Sequence, residues 1–231
     1  MNKNLIKNQF SKNAKTYDDF NVIQAKVIEK LMQFIINKPL NILDIGCGTG
    51  TLYKSINWEL EKFVGLDFSQ EMLDKHPNDS KTILLCKNFN NPESFEELKI
   101  YNFNRVVSSS SLQWADNLDS VFYNISKLNT PISFAIFTSG TFKTLHKVAS
   151  INSPLRTEDE IKNLSEKYFD ANFELLNYQL AFPSVRSMFQ YIKKTGVSGG
   201  ENKLNYKELR QLMKEYPLDY LEFEVLIIDE E

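Results

Sequence analysis

Val22, Ala25, Ile28, Met32 and Ile35 recur at steps of three and four between Tyr17 and Ile36. That spacing predicts one apolar helix face, stopped by Pro39. A short apolar run, Leu40–Ile45, reads as a first strand, and a helix over about Gly50–Trp58 follows it. Phe63–Asp67 reads as a second strand. Ser69 caps a predicted helix carrying Met72 and Leu73, which Pro77 ends. Thr82–Cys86 and Arg105–Ser109 are the third and fourth strands. A helix over about Leu118–Leu128 then leads to Pro131 and a fifth strand, Ile132–Thr138. Strands alternating with helices predict a parallel sheet with helices on both faces.

The pattern changes after Ser139. Phe142–Ala149 reads as helical, and Thr157-Glu158-Asp159-Glu160 is a capping box opening a helix that runs to Phe169. Phe173–Phe182 reads as a strand, and Val185, Met188, Phe189 and Ile192 mark a helix closed by Gly196. Tyr206–Tyr216 is a helix, and Tyr220–Ile228 alternates as a final strand. With no repeat or linker, residues 1–231 read as a single domain, and about 139–172 and 184–216 are expected to form a small helical cap.

Chemistry concentrates where the first strand ends, in Asp44-Ile45-Gly46-Cys47-Gly48-Thr49-Gly50. Strand, glycine turn, helix and an acid-tipped second strand make half of a nucleotide-binding α/β sheet. Asp67 lies 23 residues after Asp44, about where a carboxylate accepts both hydroxyls of a ribose. The pattern is G-x-G-x-G, with Thr51 where a dinucleotide fingerprint has its third glycine. Asp44 would repel a pyrophosphate and attract a cation. An adenosine bearing an amino group and a sulfonium fits such a site, which points to S-adenosylmethionine (SAM), with S-adenosylhomocysteine (SAH) as product. A nicotinamide dinucleotide enzyme is the alternative. Here the segment resembles motif I of the class I methyltransferases.

Composition narrows the rest. The chain has 42% hydrophobic residues and a formal charge of −3, so it is globular and offers no electrostatic case for nucleic acid. Lysine and asparagine each occur 23 times, against 4 arginines. Cys47 and Cys86 match no metal spacing and read as small apolar residues in a reducing compartment. There is no apolar signal core and no run of about 18 apolar residues, so a cytoplasmic protein without membrane contact is expected.

Further residues extend the motif. Phe68 stands beside Asp67, placed to stack on or edge an adenine, with Met72 and Phe89 as further candidates on that side. Asn88 follows the third strand, where the superfamily often carries an acid that contacts the adenine amino group. Ser108, Ser109, Ser110 and Ser111 follow the fourth strand at the end that faces ligand in a doubly wound sheet. The run from Arg105 through Gln113-Trp114 resembles the D-l-v-v-S-n-x-x-l-Q-W signature of the BioC family, malonyl-acyl-carrier-protein O-methyltransferases of biotin synthesis. Phe10, Ala14, Tyr17-Asp18 and Gln24 look like that family's N-terminal segment. Phe137-Thr138, Gly140 and Leu145-His146 look like its stretch after the fifth strand. Phe182–Gly196 and the closing Tyr220–Val225 complete a similarity over most of the chain.

The resemblance implies a Rossmann-like class I methyltransferase fold, with a seven-stranded, mostly parallel sheet and an antiparallel last strand inserted at its edge. It implies methylation of the free carboxylate of a malonyl thioester on an acyl carrier protein. A monomer is expected. Another small-molecule class I methyltransferase and a non-catalytic binding protein of the same fold remain alternatives. No general base is needed, because a carboxylate with a reference pKa near ~4 is already ionised at neutral pH. His76 is expected at the surface, and His146 either packs or faces substrate. Tyr17 is expected to act as a lid, with Gln113 and Trp114 positioning the reactants. Arg186 is the arginine expected to meet the substrate carboxylate, with Lys143 and Lys147 as alternatives.

Overall fold

A computed structural model describes residues 21–195 and 206–231. The apolar runs form strands β1 (Asn41–Ile45), β2 (Lys62–Asp67), β3 (Thr82–Cys86), β4 (Arg105–Ser109) and β5 (Ile132–Phe137). Helix α1 (Val22–Met32) precedes β1, and α2 (Thr51–Ser55) and α3 (Gln70–Leu73) follow β1 and β2. The stretch after β3 carries no periodic signal, yet it forms α4 (Glu93–Glu96) and a 3-10 turn. Helix α5 (Leu118–Ser126) joins β4 to β5. Helices α6 (Lys143–Val148) and α7 (Glu158–Ser165), strand β6 (Asn172–Ala181), helices α8 (Val185–Thr195) and α9 (Tyr206–Glu215), and β7 (Tyr220–Asp229) complete the described chain.

Local chemistry sets several boundaries. The Ser69 hydroxyl accepts from Met72 N and so caps α3. The Thr157–Glu160 capping box closes reciprocally at the start of α7. Helix α2 is shorter than its sequence suggests because Ile56 turns extended and Trp58 donates its indole N–H to Pro39 O.

The seven strands make one sheet in the order β3-β2-β1-β4-β5-β7-β6. The pairs from β3 across to β5 are parallel, while β7 runs antiparallel to both β5 and β6. The last strand is thus inserted within the sheet, one place in from the β6 edge. Register puts Ser133 opposite Asp229 and Phe137 opposite Val225.

Alternation along each strand divides the core into two layers. Ile42, Phe63, Val107 and Ala135 face α1, α8 and α9, whose Ile23, Val27, Leu31, Met188, Ile192 and Leu212 are buried against that side. Leu43, Val64, Leu66, Val106, Phe134 and Ile136 face the other way. There Phe122 of α5 stacks on Phe134 at 6.0 Å and meets Phe169 edge-on at 5.5 Å.

The described parts of the segments expected as a cap lie in these layers. Ile161 of α7 and Phe169 pack beside α5, while Leu145, Met188 and Leu212 pack with α1. Their apolar faces already have a partner in the sheet, which positions them as layer helices. Two single residues differ from expectation. Cys86 is exposed, because β3 is an edge strand and Cys86 is its last residue. His76 is buried, its ring 5.4 Å from Tyr53 and 5.6 Å from Phe63.

Candidate active site

The carboxyl ends of β1, β2 and β4 meet in a cleft, as the ligand end of a doubly wound sheet should. Its floor is the turn after β1. Gly46, Gly48 and Gly50 all have positive φ, at 78°, 55° and 78°. Such angles suit glycine, since a Cβ there meets the following carbonyl. The three are not equivalent. A side chain on Gly46 would meet Ser111 at 2.3 Å, and one on Gly50 would meet His76 and Pro77 at 2.7 Å. Gly48 has nothing within 4 Å of that position. Two glycines are therefore wedged from behind, and the middle one offers bare backbone to the cleft.

One end of the cleft is apolar, lined by Phe68, Met72, Phe89 and Trp114 beside Asp67, Gly46 and Gly48. The other end is polar, lined by Asn21 and Gln24 of the α1 region, Asp44, Cys47, Thr49 and Thr51. Ser109 and Ser110 border both ends. Ser110 takes a left-handed φ of 61°, uncommon for a residue with a side chain. Its carbonyl accepts from Gln113 Nε2 at 2.6 Å.

Two buried acids dominate the electrostatics. Asp67 takes Ser69 N on Oδ1 at 2.9 Å and Gly48 N on Oδ2 at 3.0 Å. These bonds fix the carboxylate and leave a further lone pair on each oxygen. Burial pushes its pKa up to about 6, against the pull of those N–H donors. Asp44 is 2% exposed and has no hydrogen-bond or ion-pair partner among the described residues. Burial first, then repulsion from Asp67, raises it to about 8. The Cys47 thiol is pushed up by the same burial and by both acids, so it is an inert lining group. Gly65 makes room for it, since a Cβ there would meet Cys47 Sγ at 2.8 Å.

The remaining predicted residues divide plainly. Ser108 is fully buried and donates to Ile45 O at 2.7 Å, so it ties β4 to β1 instead of lining the cleft. Ser111 makes the same bond to Ile45 O. Asn88 Oδ1 is taken by Asn90 N and Asn90 Nδ2, at 2.9 and 3.1 Å, and organises its own loop. Gln113 is buried, and its Oε1 has no partner among the described residues. His146 is half-buried on α6, lowered in pKa by burial, and does not line the cleft. Arg186 is exposed at the start of α8. Tyr17 lies outside the described residues. Gln24 lines the polar end although its place in the N-terminal segment gives no sign of that role. His76, expected at the surface, is buried and wedges the glycine turn.

A methyltransferase domain family model matches residues 43–132. A malonyl-acyl-carrier-protein O-methyltransferase of Ilyobacter polytropus is 30% identical over 76% of this chain and 71% of its own length. The chain belongs to the malonyl-acyl-carrier-protein O-methyltransferase family. Another member, from Priestia megaterium, is 28% identical over 94% of this chain and 90% of its own. Among solved structures, the plantazolicin methyltransferase BpumL, crystallised with SAH, superposes with a TM-score of 0.56 at 15% identity, covering 98% of this chain and 95% of its own. The YcgJ protein of Bacillus subtilis superposes at 0.57 with 8% identity, covering 87% and 97%. The sheet order and the single antiparallel strand are those of a Rossmann-like class I methyltransferase.

The cleft fits the methyl donor of that superfamily on the chain's own features. Open backbone at Gly48 admits close approach, and Asp44 is a buried acceptor with no donor among the described residues. An ammonium group supplies what Asp44 lacks.

Proposed function

We propose that this protein transfers a methyl group from SAM to the free carboxylate of a malonyl thioester on acyl carrier protein, an esterification serving biotin synthesis in the cytoplasm. Asp44 carries the reading: it is a buried acid awaiting a cation, in a chain of this family. When bound, SAM supplies an electrophilic methyl on a sulfonium. Asp44 accepts the amino group of the donor, and Asp67 accepts its ribose hydroxyls while Ser69 N and Gly48 N hold the carboxylate still. Phe68, Met72, Phe89 and Trp114 enclose the adenine at the apolar end. Gln113 braces the 110–114 turn through Ser110 O and so positions Trp114.

The acceptor is ionised at neutral pH, and the described cleft holds no histidine placed to take a proton. The chain therefore works by approach and alignment, which together lower a barrier by roughly 7–11 kcal/mol in well-oriented cases. Tyr17, outside the described residues, is proposed to close over the cleft. The protein is proposed to act as a monomer. No described helix is long and apolar enough to cross a membrane.

The test is methyl transfer from labelled SAM to malonyl-acyl carrier protein, malonyl-CoA and acetyl-acyl carrier protein. Base-labile ester is expected on the carrier-bound malonyl group and none on acetyl. Absence of ester on every malonyl thioester, with SAH still binding, would point to a different methyl acceptor.

A further inference from the structure

An anionic acceptor calls for a positive charge at the ligand end of the sheet, and the four arginines occupy very different places. Arg105 is buried at the opposite end, against Asp229 and the carbonyls of Ile132 and Glu230. Arg186 and Arg210 are exposed on outer helices. Arg156 stands at the cleft end. Its backbone oxygen accepts from Ser139 N at 2.8 Å, just past β5. Its Nη2 donates to Ala115 O at 2.7 Å, the residue after the cleft-lining Trp114, and to Asp116 O at 3.4 Å. Arg156 thus ties together the segments that follow two neighbouring parallel strands, its backbone oxygen on the β5 side and its guanidinium on the β4 side.

Its charge is not spent. No carboxylate lies within ion-pair distance of it among the described residues. Glu160 and Asp116 are near enough to raise its pKa, yet burial outweighs them and lowers it. Glu160 Oε2 is committed to Thr157 N and Oγ1 in the capping box. The contacts with Ala115 and Asp116 use Nη2 alone, so Nε and Nη1 remain as donors. A half-buried guanidinium held rigid by a backbone carbonyl, with donors to spare, is suited to a carboxylate.

We propose that Arg156 receives the free carboxylate of the malonyl acceptor and holds it at the mouth of the cleft. The inference rests on the function proposed above and assigns the cation that function requires. It also gives direction to the cycle, since the methyl ester has lost the charge that Arg156 binds. A site built around that charge holds the acid and releases the ester.

The probe is malonyl-pantetheine, with its monomethyl ester as control, titrated into SAH-bound protein so that no turnover occurs. Arg156→Gln is expected to weaken binding of the acid by about 10- to 100-fold, the range for a lost hydrogen bond to a charged group. SAH and the ester should bind as before, and Arg156→Lys should recover part of the loss. Equal weakening of acid and ester would make Arg156 a mere tether between loops and overturn the proposal, as would no change in either. If SAH or malonyl-pantetheine does not bind the unaltered protein, the functional reading falls and takes this proposal with it.

Discussion

At one end of the sheet, Asp229 at the close of β7 lies 3.6 Å from Arg105 at the start of β4, and Ser133 donates to it at 2.5 Å. At the other end, Asp44 and Asp67 sit on neighbouring strands with no cation beside them among the described residues. Both pairs of strands bury acid. One acid has its counter-charge beside it, and the other has none among the described residues. Nearby Glu230 is also engaged, its Oε1 taking Asp170 N and its Oε2 taking Ile132 N. A buried acid that the fold satisfies is a fastener between strands. One that the fold leaves unsatisfied marks where a ligand completes the structure.

The sharpest way to break this contrast is Arg105→Leu. It strands Asp229 in the interior and should cost about 3–5 kcal/mol of unfolding free energy, measured in denaturant. SAH affinity of the folded fraction should not change, because the pair lies far from the glycine turn. Loss of SAH binding without loss of stability would merge the two ends into one functional unit.

Asp44→Asn should do the reverse. SAH affinity should fall by about 1.5–3 kcal/mol, as for a hydrogen bond to a charged group, read by calorimetry. The ligand-free variant should be more stable than the parent. The folded pKa of about 8 lies above the ordinary 3.8, so the fold favours the protonated acid. The contribution of Asp44 to stability is complete below about pH 4 and is lost as pH rises through about 8. The advantage of the asparagine variant should therefore grow across that window in thermal melts. Parallel curves would remove the unsatisfied charge from the account. For the unaltered protein at pH 7, SAH binding should release a proton, seen as a buffer-dependent heat.

Ser133→Ala sharpens the fastener side with the smallest effect. Removing one donor to Asp229 should cost about 1–3 kcal/mol and leave SAH binding untouched.

How much of this was readable in the chain differs between elements and contacts. Strands β3 and β4 match their predicted limits, because short apolar runs bounded by polar turns leave little choice of period. The three glycines were legible because a backbone shape demands them at fixed spacing, and Asp44 and Asp67 because they are acids at the ends of the apolar runs that flank that turn. His76 was not, since a histidine before Pro77 in a polar stretch looks solvated, and only Tyr53, Phe63 and Gly50 together enclose it. Asn88 was read as a donor's partner, but its own loop takes both lone pairs. Arg156 escaped because its meaning lies in a contact with Ala115, 41 positions earlier. Spacing within a segment reports shape, and contacts between segments report chemistry.

Strand β6 touches the rest of the sheet only by way of β7, with Ala181 opposite Tyr220. While the polypeptide emerges from a ribosome, residues 172–181 are made well before the strand that must hold them. Until β7 arrives, β5 also presents an open rim. The nascent protein thus spends the synthesis of α8 and α9 with two unzipped margins, a period when chaperones or sticky neighbours have their best opportunity.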